Sequence, residues 1–247
     1  MAPGLPAIPS ADRPVAILVA LEVEARALVR HLSRATIPSP HLSVWEGVID
    51  GTRVVLVITG VGKVASALAA QFACDVFDPQ CLVAVGLAGA TDGDGQTGQL
   101  IVASGAVQHD VDARPLTKAR GTIPSLGMTV IPADPNWSEK LRQATARVVA
   151  KPQVARSGVV LTGDQIVSSR DVRDRLLRDF PEGVCLDMET AALAQVAHQN
   201  GVPWAALRMI SDAADEKFNL GEVLGFGVDT AADLFDQIVR ALLRART

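Results

Sequence analysis

The sequence predicts a single α/β domain with a mostly parallel central sheet. Apolar runs suited to buried strands alternate with stretches of helical periodicity along the 247-residue chain, and this alternation is typical of strands joined by crossover helices. Apolar residues make up 49% of the chain, enough for a substantial core. No repeat or low-complexity linker divides it, so we interpret residues 14–247 as one domain and residues 1–13, with three prolines, as a disordered tail.

Composition and charge argue against several classes of function. The formal net charge is −4 and the pI is about 5.6; since no basic stripe is visible, we expect no nucleic-acid partner. No apolar run reaches the roughly 20 residues that span a bilayer, so we expect no membrane association. The three cysteines lack C-x-x-C spacing and the four histidines are scattered. We therefore expect reduced thiols in a cytoplasmic protein, with no metal site and no cofactor.

The first half of the chain alternates buried strands with two helices. Apolar runs predict strands over residues 15–21, 42–49, 52–58, 81–85 and 100–107. Asp50-Gly51, between the second and third runs, is a strong signal for a short hairpin turn. A helix is predicted over about 23–32. An alanine-rich helix follows the glycine turn at 59–65 and continues to about residue 76.

The second half begins with a long loop, because residues 113–135 contain many prolines and glycines and show no periodicity. Beyond it, the pattern predicts helices over 136–150, 171–179, 187–199 and 230–243, and strands over 154–161, 183–186 and 202–207. The last strand leads into Arg208, Ser211 and Asp212. Ligands of open α/β sheets gather beyond the carboxyl ends of strands, so this is a candidate site.

Three carboxylates follow three of the predicted strands: Glu24 after the first, Glu189 after the strand at 183–186, and Asp212 after the last. Each has a simpler explanation when taken alone. A glutamate in the first turn of a helix is favoured by the helix dipole, and aspartate is a common turn former. Three acids at three strand ends of one sheet, however, indicate a cleft in which carboxyl groups carry out chemistry.

The glycine turn allows a different interpretation. Gly60-x-Gly62-x-x-Ala65 follows a strand and opens a helix, as in dinucleotide-binding turns, and Asp78 lies near the spacing of a ribose-binding acid. An NAD-type oxidoreductase is therefore one alternative. The turn does not belong to the first βα unit of the chain, and its glycines are equally explained by a close backbone approach to a sugar or base.

The assembled motifs resemble those of the nucleoside phosphorylase/nucleosidase superfamily, and within it the bacterial 5′-methylthioadenosine/S-adenosylhomocysteine nucleosidases. The resemblance covers about residues 15–245. Seven segments match in order: Ala20-Leu21-Glu22-Val23-Glu24, Thr59-Gly60-Val61-Gly62-Lys63-Val64, Gly86-Leu87-Ala88-Gly89, His109-Asp110-Val111-Asp112, Thr162-Gly163-Asp164-Gln165, Asp187-Met188-Glu189-Thr190-Ala191-Ala192 and Arg208-Met209-Ile210-Ser211-Asp212-Ala213-Ala214-Asp215. The resemblance implies a three-layer α/β/α fold with a mixed, mostly parallel sheet, and a homodimer whose partner completes the pocket.

The resemblance also implies roles for individual residues. Asp212 is expected to protonate purine N7, Glu24 to deprotonate a water, Arg208 to help hold that water, and Glu189 to accept from the ribose hydroxyls, with Met188 beneath the sugar. The expected substrate-binding set is Leu21, Leu87, Ala88, Gly89, Ile166, Val167, Asp187, Met188, Glu189 and Ser211. The expected activity is hydrolysis of the N-glycosidic bond of 5′-methylthioadenosine, S-adenosylhomocysteine or 5′-deoxyadenosine, which releases adenine.

These residue types suit that chemistry independently of the resemblance. Cleavage of a glycosidic bond passes through an oxocarbenium-like state, in which one carboxyl group acts as acid on the leaving group and another as base on water. Adenine leaves well only when N7 is protonated, which gives Asp212 its task. Glu189, as a bidentate acceptor, suits a vicinal diol.

Water is favoured over phosphate as the nucleophile, because phosphorolysis needs a cationic cradle. Phosphorylases of the superfamily carry arginines where this chain has Ala20-Leu21-Glu22-Val23-Glu24 and Ala84-Val85. Three positions depart from the nucleosidase pattern: Leu21 replaces methionine, Leu87 replaces a serine that helps hold the water, and Ile166 replaces an aromatic residue. A phosphate-dependent purine nucleoside phosphorylase and a catalytically weak nucleoside-binding protein therefore stay open as alternatives.

Overall fold

A computed structural model of the chain describes residues 13–35, 42–92, 97–149, 155–226 and 230–244. Except for Arg13, the predicted tail lies outside the described residues. Ten strands occur in the described ranges: β1 (Val15–Val19), β2 (Ser33–Arg34), β3 (Ser43–Ile49), β4 (Thr52–Ile58), β5 (Cys81–Ala90), β6 (Leu100–Gln108), β7 (Ile131–Pro132), β8 (Arg156–Thr162), β9 (Gly183–Asp187) and β10 (Trp204–Asp212).

Helices connect most of these strands. In the described ranges they are α1 (Glu22–Ala25), α2 (Lys63–Phe77), α3 (Pro135–Val148), α4 (Arg170–Asp179), α5 (Thr190–Asn200), α6 (Leu220–Phe226) and α7 (Ala232–Arg244), together with a 3-10 helix at Leu28–His31. Within these ranges, no helix is long and apolar enough to cross a membrane. All three cysteines are free.

The sheet is mixed, and part of it closes on itself. β4, β1, β5 and β10 pair side by side and run parallel. β6, β8 and β9 also run parallel to one another, but antiparallel to β10 at one end and to β5 at the other. The pairings β5–β10, β10–β6, β6–β8, β8–β9 and β9–β5 join these five strands into a ring. β3 and β2 extend the sheet as antiparallel strands beyond β4.

Two apolar layers cover the two faces of the sheet. Residues of α2 and α5, among them Ala69, Ala73 and Leu193, are buried in one core cluster. Residues of α3 and α7, among them Leu141 and Phe235, are buried in another. This is the three-layer α/β/α arrangement with a mixed sheet that the family resemblance implies, so the predicted fold class is confirmed.

Local backbone chemistry explains the predicted hairpin. Asp50 and Gly51 both have positive φ, 47° and 79°, the combination that matches a two-residue turn to the twist of the flanking strands. β3 and β4 pair antiparallel through this turn, with Ile49 opposite Thr52.

The prediction of one continuous helix over residues 23–32 is wrong. Instead of one helix over 23–32, the chain forms the single turn of α1 and then the 3-10 helix at Leu28–His31. β2, which begins at Ser33, pairs with β3. The chain therefore leaves the helical conformation by Leu32, and a tight 3-10 turn makes that exit.

β5 and β10 are longer than predicted, and this matters for the site. β5 continues beyond residue 85 to Ala90, and β10 continues beyond residue 207 to Asp212. The extensions pair with each other, and the register shifts between Ile210 and Asp212. Such an irregularity re-aims side chains at the end of a strand. Arg208, Ser211 and Asp212 therefore belong to the strand itself and not to a turn after it.

Two further predictions need correction. The helix expected from residue 187 begins at Thr190, because Asp187 ends β9 and Glu189 occupies the N-cap position. The predicted loop over 113–135 contains the short strand β7, which pairs with β6.

Candidate active site

A cavity of about 360 Å³ lies where the ends of β1, β5, β9 and β10 meet. Its volume is in the range of small-molecule sites. All ten residues expected to bind substrate line it: Leu21, Leu87, Ala88, Gly89, Ile166, Val167, Asp187, Met188, Glu189 and Ser211. Glu24 and Asp212 also line it. The structure therefore brings together all the predicted residues except Arg208, which does not line the cavity.

Glu24 is buried at one end of the cavity, with both carboxylate oxygens engaged. Oε1 accepts from the backbone N–H of Leu87 at 2.8 Å, and Oε2 accepts from the N–H of Leu21 at 3.0 Å. Burial raises the pKa of Glu24, although the Leu87 amide and the charge of Arg208 act in the opposite direction. Two of the positions that depart from the family pattern, Leu21 and Leu87, thus hold Glu24 through backbone groups that any residue supplies.

Arg208 lies behind the cavity wall and is 2% exposed. Its Nη2 is 2.6 Å from Asp187 Oδ2 and 3.7 Å from Glu189 Oε2. Its Nε and Nη2 both donate to Thr190 Oγ1, at 3.0 and 2.8 Å. Thr190 in turn donates its hydroxyl proton to Asp187. The guanidinium is therefore committed to the acids and hydroxyl around it.

Glu189 reaches the glycine turn that opens α2. Its Oε1 accepts from the N–H of Gly62 at 3.0 Å, and its backbone oxygen accepts from Ser66 Oγ at 3.1 Å. Burial raises the pKa of Glu189, against the charge of Arg208. β9 runs antiparallel to β5, so Glu189 follows a strand whose direction is opposite to those that precede Glu24 and end in Asp212. Its bond to Gly62 holds it beside the glycine turn.

Asp212 lies at the end of β10, held by its neighbours in the chain. Oδ2 accepts from Ser211 Oγ at 2.8 Å, and Oδ1 accepts from the N–H of Ala214 at 2.9 Å. Ala214 has a φ of 48°, a left-handed conformation that costs a residue with a Cβ roughly 1–2 kcal/mol. Backbone strain of this kind clusters at functional sites, and here it turns an amide toward Asp212.

Two glycines of β5 make room for the charged side chains. A Cβ on Gly86 would lie 2.3 Å from Arg208 Nη1 and 3.1 Å from Glu24 Oε1, and one on Gly89 would lie 3.2 Å from Asp212 Oδ1. Three residues of strand place the Cα atoms of these glycines about 10 Å apart. The carboxylates of Glu24 and Asp212 therefore lie beside different positions of β5 and line the same cavity.

The contribution of α6 to the apolar part of the cavity was not predicted, whereas Phe218 had been considered, with Phe226, as a ring that could replace the aromatic residue missing at position 166. Phe218 and three residues of α6, Leu220, Val223 and Leu224, line the cavity, and Val61 lies at its mouth. Ile166 is exposed on the rim. The i, i+3, i+4 spacing of the α6 residues is a helical signal that the sequence analysis did not use. Phe218 supplies an aromatic ring that the sequence lacks at position 166.

His109 is another lining residue to which no role was assigned from the sequence. It is buried, and its Nδ1 has no hydrogen-bond partner among the described residues. Burial lowers the pKa of its imidazole and so favours the neutral form, although the charges of Asp110 and Asp187 act in the opposite direction.

The structure contradicts the dinucleotide-binding alternative. Gly62 donates its amide to Glu189 and so does not form an open phosphate cradle. Asp78 is the C-cap of α2 and pairs with Arg13 at 2.5 Å. The 15 residues of α2 place it about 22 Å from the glycine turn, too far to contact the ribose of a nucleotide bound there.

The charge of the cavity is negative. Its charged lining residues are Glu24, Asp187, Glu189 and Asp212, and none of the described residues that line it is a lysine or arginine. The nearest guanidinium, that of Arg208, is already paired with Asp187. The cavity thus offers hydrogen-bond acceptors to hydroxyl groups and repels anions.

Comparisons with known proteins identify relatives of this chain. A family model described as the phosphorylase superfamily matches residues 14–244. The 5′-methylthioadenosine/S-adenosylhomocysteine nucleosidase of Staphylococcus haemolyticus is 29% identical over 92% of this chain and 100% of its own. That of Anoxybacillus flavithermus is 31% identical over 83% of this chain and 88% of its own. The solved structure of the Neisseria meningitidis nucleosidase with methylthio-immucillin-A has a TM-score of 0.87 and 27% identity, covering 94% and 99% of the two chains.

The buried pairing of Thr190 gives a prediction about stability. Thr190→Val keeps the shape of the side chain but removes the hydroxyl that Arg208 and Asp187 share. Because it leaves buried charged groups unsatisfied, we expect a loss of about 1–3 kcal/mol in the free energy of unfolding, measured with urea.

Thr145→Val is the matched control, since Thr145 is also buried but donates only to the backbone oxygen of Leu141. A loss for Thr190→Val no larger than for Thr145→Val would show that the buried network contributes nothing special to stability.

Proposed function

Because the chain belongs to the phosphorylase superfamily and, within it, to the 5′-methylthioadenosine/S-adenosylhomocysteine nucleosidases, we propose that it hydrolyses the N-glycosidic bond of 5′-modified adenosines. The family resemblance expected from the sequence is confirmed. The proposed substrates are 5′-methylthioadenosine, S-adenosylhomocysteine and 5′-deoxyadenosine, and the common product is adenine. The observation that supports hydrolysis best is a cavity lined by carboxylates and by no lysine or arginine of the described chain.

In the proposed reaction, Glu24 takes a proton from water. Its carboxylate is held by the amides of Leu21 and Leu87, so its orientation does not depend on the substrate. General bases of this kind contribute about 10²–10⁴-fold to rate. The same carboxylate repels a phosphate ion, which disfavours phosphorolysis.

Asp212, which lines the same cavity as Glu24, is the proposed acid for purine N7. The hydroxyl of Ser211 and the amide of Ala214 fix its carboxyl group. Glu189 is the proposed acceptor for the ribose hydroxyls. Its bond to Gly62 and its proximity to Arg208 hold it on the remaining wall.

A homodimer is also proposed. α2 exposes Val64 and Leu68, 80% and 56% accessible, on the side where Val61 is exposed at the cavity mouth. An apolar stripe that begins at the cavity mouth suits a partner subunit that completes the pocket.

Adenine release in the absence of phosphate tests the proposed activity. We expect the protein to convert 5′-methylthioadenosine to adenine and free methylthioribose at equal rates with and without phosphate, as followed by chromatography. Strict dependence on phosphate would make the protein a phosphorylase. Binding of the nucleoside without turnover would identify a binding protein instead.

The two catalytic assignments predict distinct losses in that assay. Glu24→Gln and Asp212→Asn should each lower kcat by about 10²-fold or more, because each removes a proton-transfer group. Glu22→Gln, an exposed neighbour on α1, is the control and should retain activity.

The raised pKa of Glu24 gives a prediction about pH. Because the base works deprotonated and burial raises the pKa of Glu24, wild-type kcat/KM should fall at acidic pH along a limb centred above 4.5. A limb at or below 4.5, or full activity in either variant, would contradict these roles.

The proposed dimer can be tested with a single charge. Leu68→Glu should convert the dimer to a monomer in analytical ultracentrifugation and reduce activity, because a buried unpaired carboxylate is costly. Val48→Glu places the same charge on an exposed valine of β3 and should leave the dimer intact. A wild-type protein that sediments as a monomer would overturn the proposal.

A further inference from the structure

Three turns around the cavity are linked by a closed ring of hydrogen bonds, here called the three-turn ring. Lys63 Nζ donates to Asp110 Oδ1 at 2.6 Å. The other oxygen of Asp110 accepts from the N–H of Asp164 at 3.0 Å. Asp164 Oδ1 accepts from the N–H of Lys63 at 2.7 Å and closes the ring. The ring joins the turns that follow β4, β6 and β8, and none of its three members lines the cavity.

Lys63 occupies a position in α2 that does not favour a positive charge. Lys63 is the first residue of α2, and a cation at a helix N-terminus is disfavoured by the helix dipole. Its side chain turns away from the helix to Asp110 and to Gln108 Oε1, which is 3.2 Å away. Burial by itself would raise the pKa of Asp110, but Lys63 and the Asp164 amide outweigh it and hold the pKa below its ordinary value.

Both neighbours of the ring contact the candidate site. Gly62, directly before Lys63, donates its amide to Glu189. Gly62 has a φ of 102°, and a Cβ there would lie 3.1 Å from Asp164 Oδ1. Directly after Asp164, residues 165–167 line the cavity. A shift of the ring therefore moves the amide that holds Glu189 together with the segment 165–167 of the cavity wall.

We propose that Lys63 is a positioning residue, which acts through the three-turn ring to fix the Gly62 amide against Glu189. Glu189 is thereby held in the orientation that accepts the ribose hydroxyls. This inference rests on the proposed nucleosidase function. It assigns Lys63 no contact with the substrate, so its removal changes recognition of the sugar more than the chemical step.

Kinetics with two substrates test this role. Wild-type protein should prefer 5′-methylthioadenosine over its 3′-deoxy analogue by about tenfold or more in kcat/KM, since a hydrogen bond to a charged group is lost with the hydroxyl. In Lys63→Met the preference should shrink to within about threefold of unity, with KM rising more than kcat falls. Lys63→Arg, which keeps a cation, should restore most of the preference.

Lys140→Met is the matched control, because Lys140 lies over the Trp137 ring on α3 and does not line the cavity. It should leave the preference and both constants unchanged. If Lys63→Met does not fold, Asp110→Asn weakens the same ring with a side chain of equal size, and a reduced preference is expected there too. An unchanged preference in the folded variant would overturn the proposal, as would equal effects at Lys63 and Lys140.

A measurement without substrate separates this inference from the proposed function. The Gly62 amide should exchange with solvent deuterium faster in Lys63→Met than in wild type or Lys140→Met, as followed by NMR. Unaltered exchange would overturn the positioning role. If wild-type protein cleaves neither nucleoside, the proposed function fails, while the exchange rates still decide whether the ring fixes Gly62.

Discussion

One buried guanidinium, that of Arg208, organises the acidic side of the cavity. Burying an ion is costly unless it is paired and hydrogen-bonded, and Arg208 pairs with Asp187 and donates to Thr190. Its charge also opposes the rise in the pKa of Glu24 and Glu189 that burial causes. The buried guanidinium also requires glycine at position 86, because a side chain at that position would occupy its space. Several acids can therefore lie around one cavity, with part of their charge offset by this guanidinium.

The same arrangement favours water over phosphate. Arg208 supplies the positive charge nearest to Glu24 and is screened from the cavity by the wall that it supports. An entering anion would meet carboxylates first, whereas a neutral nucleoside would meet acceptors for its hydroxyls and an apolar surface from Phe218 and α6. The balance of charge, more than the fold, distinguishes hydrolysis from phosphorolysis in this protein.

Much of the fold and the three carboxylates of the candidate site follow from local signals in the sequence, whereas the other predicted site residues were implied by the family resemblance. Asp50-Gly51 predicted the hairpin through the positive φ of both residues, and carboxylates after apolar runs pointed to Glu24, Glu189 and Asp212. Features set by contacts distant in sequence were not predicted. The extensions of β5 and β10 contain glycines and charged residues that resemble turn signals, and their pairing with each other and with β9 and β6 makes them strands. The commitment of Arg208 to Asp187 and Thr190 likewise depends on how β9 and β10 are brought together.

The closed ring of β5, β10, β6, β8 and β9 also distinguishes parts of the site whose position is fixed from parts whose sequence can change. Asp212 ends a strand that is paired on both sides, so its place is fixed by neighbours that themselves have no free edge. α6, by contrast, contains no buried residue and contributes only apolar side chains to the cavity. Natural variation or laboratory selection can therefore reshape the pocket wall through α6 at little thermodynamic cost, while Asp212 stays in place. The shape of the pocket is in this sense the adaptable property of the architecture, and the placement of the acidic side chain at the end of β10 is the fixed one.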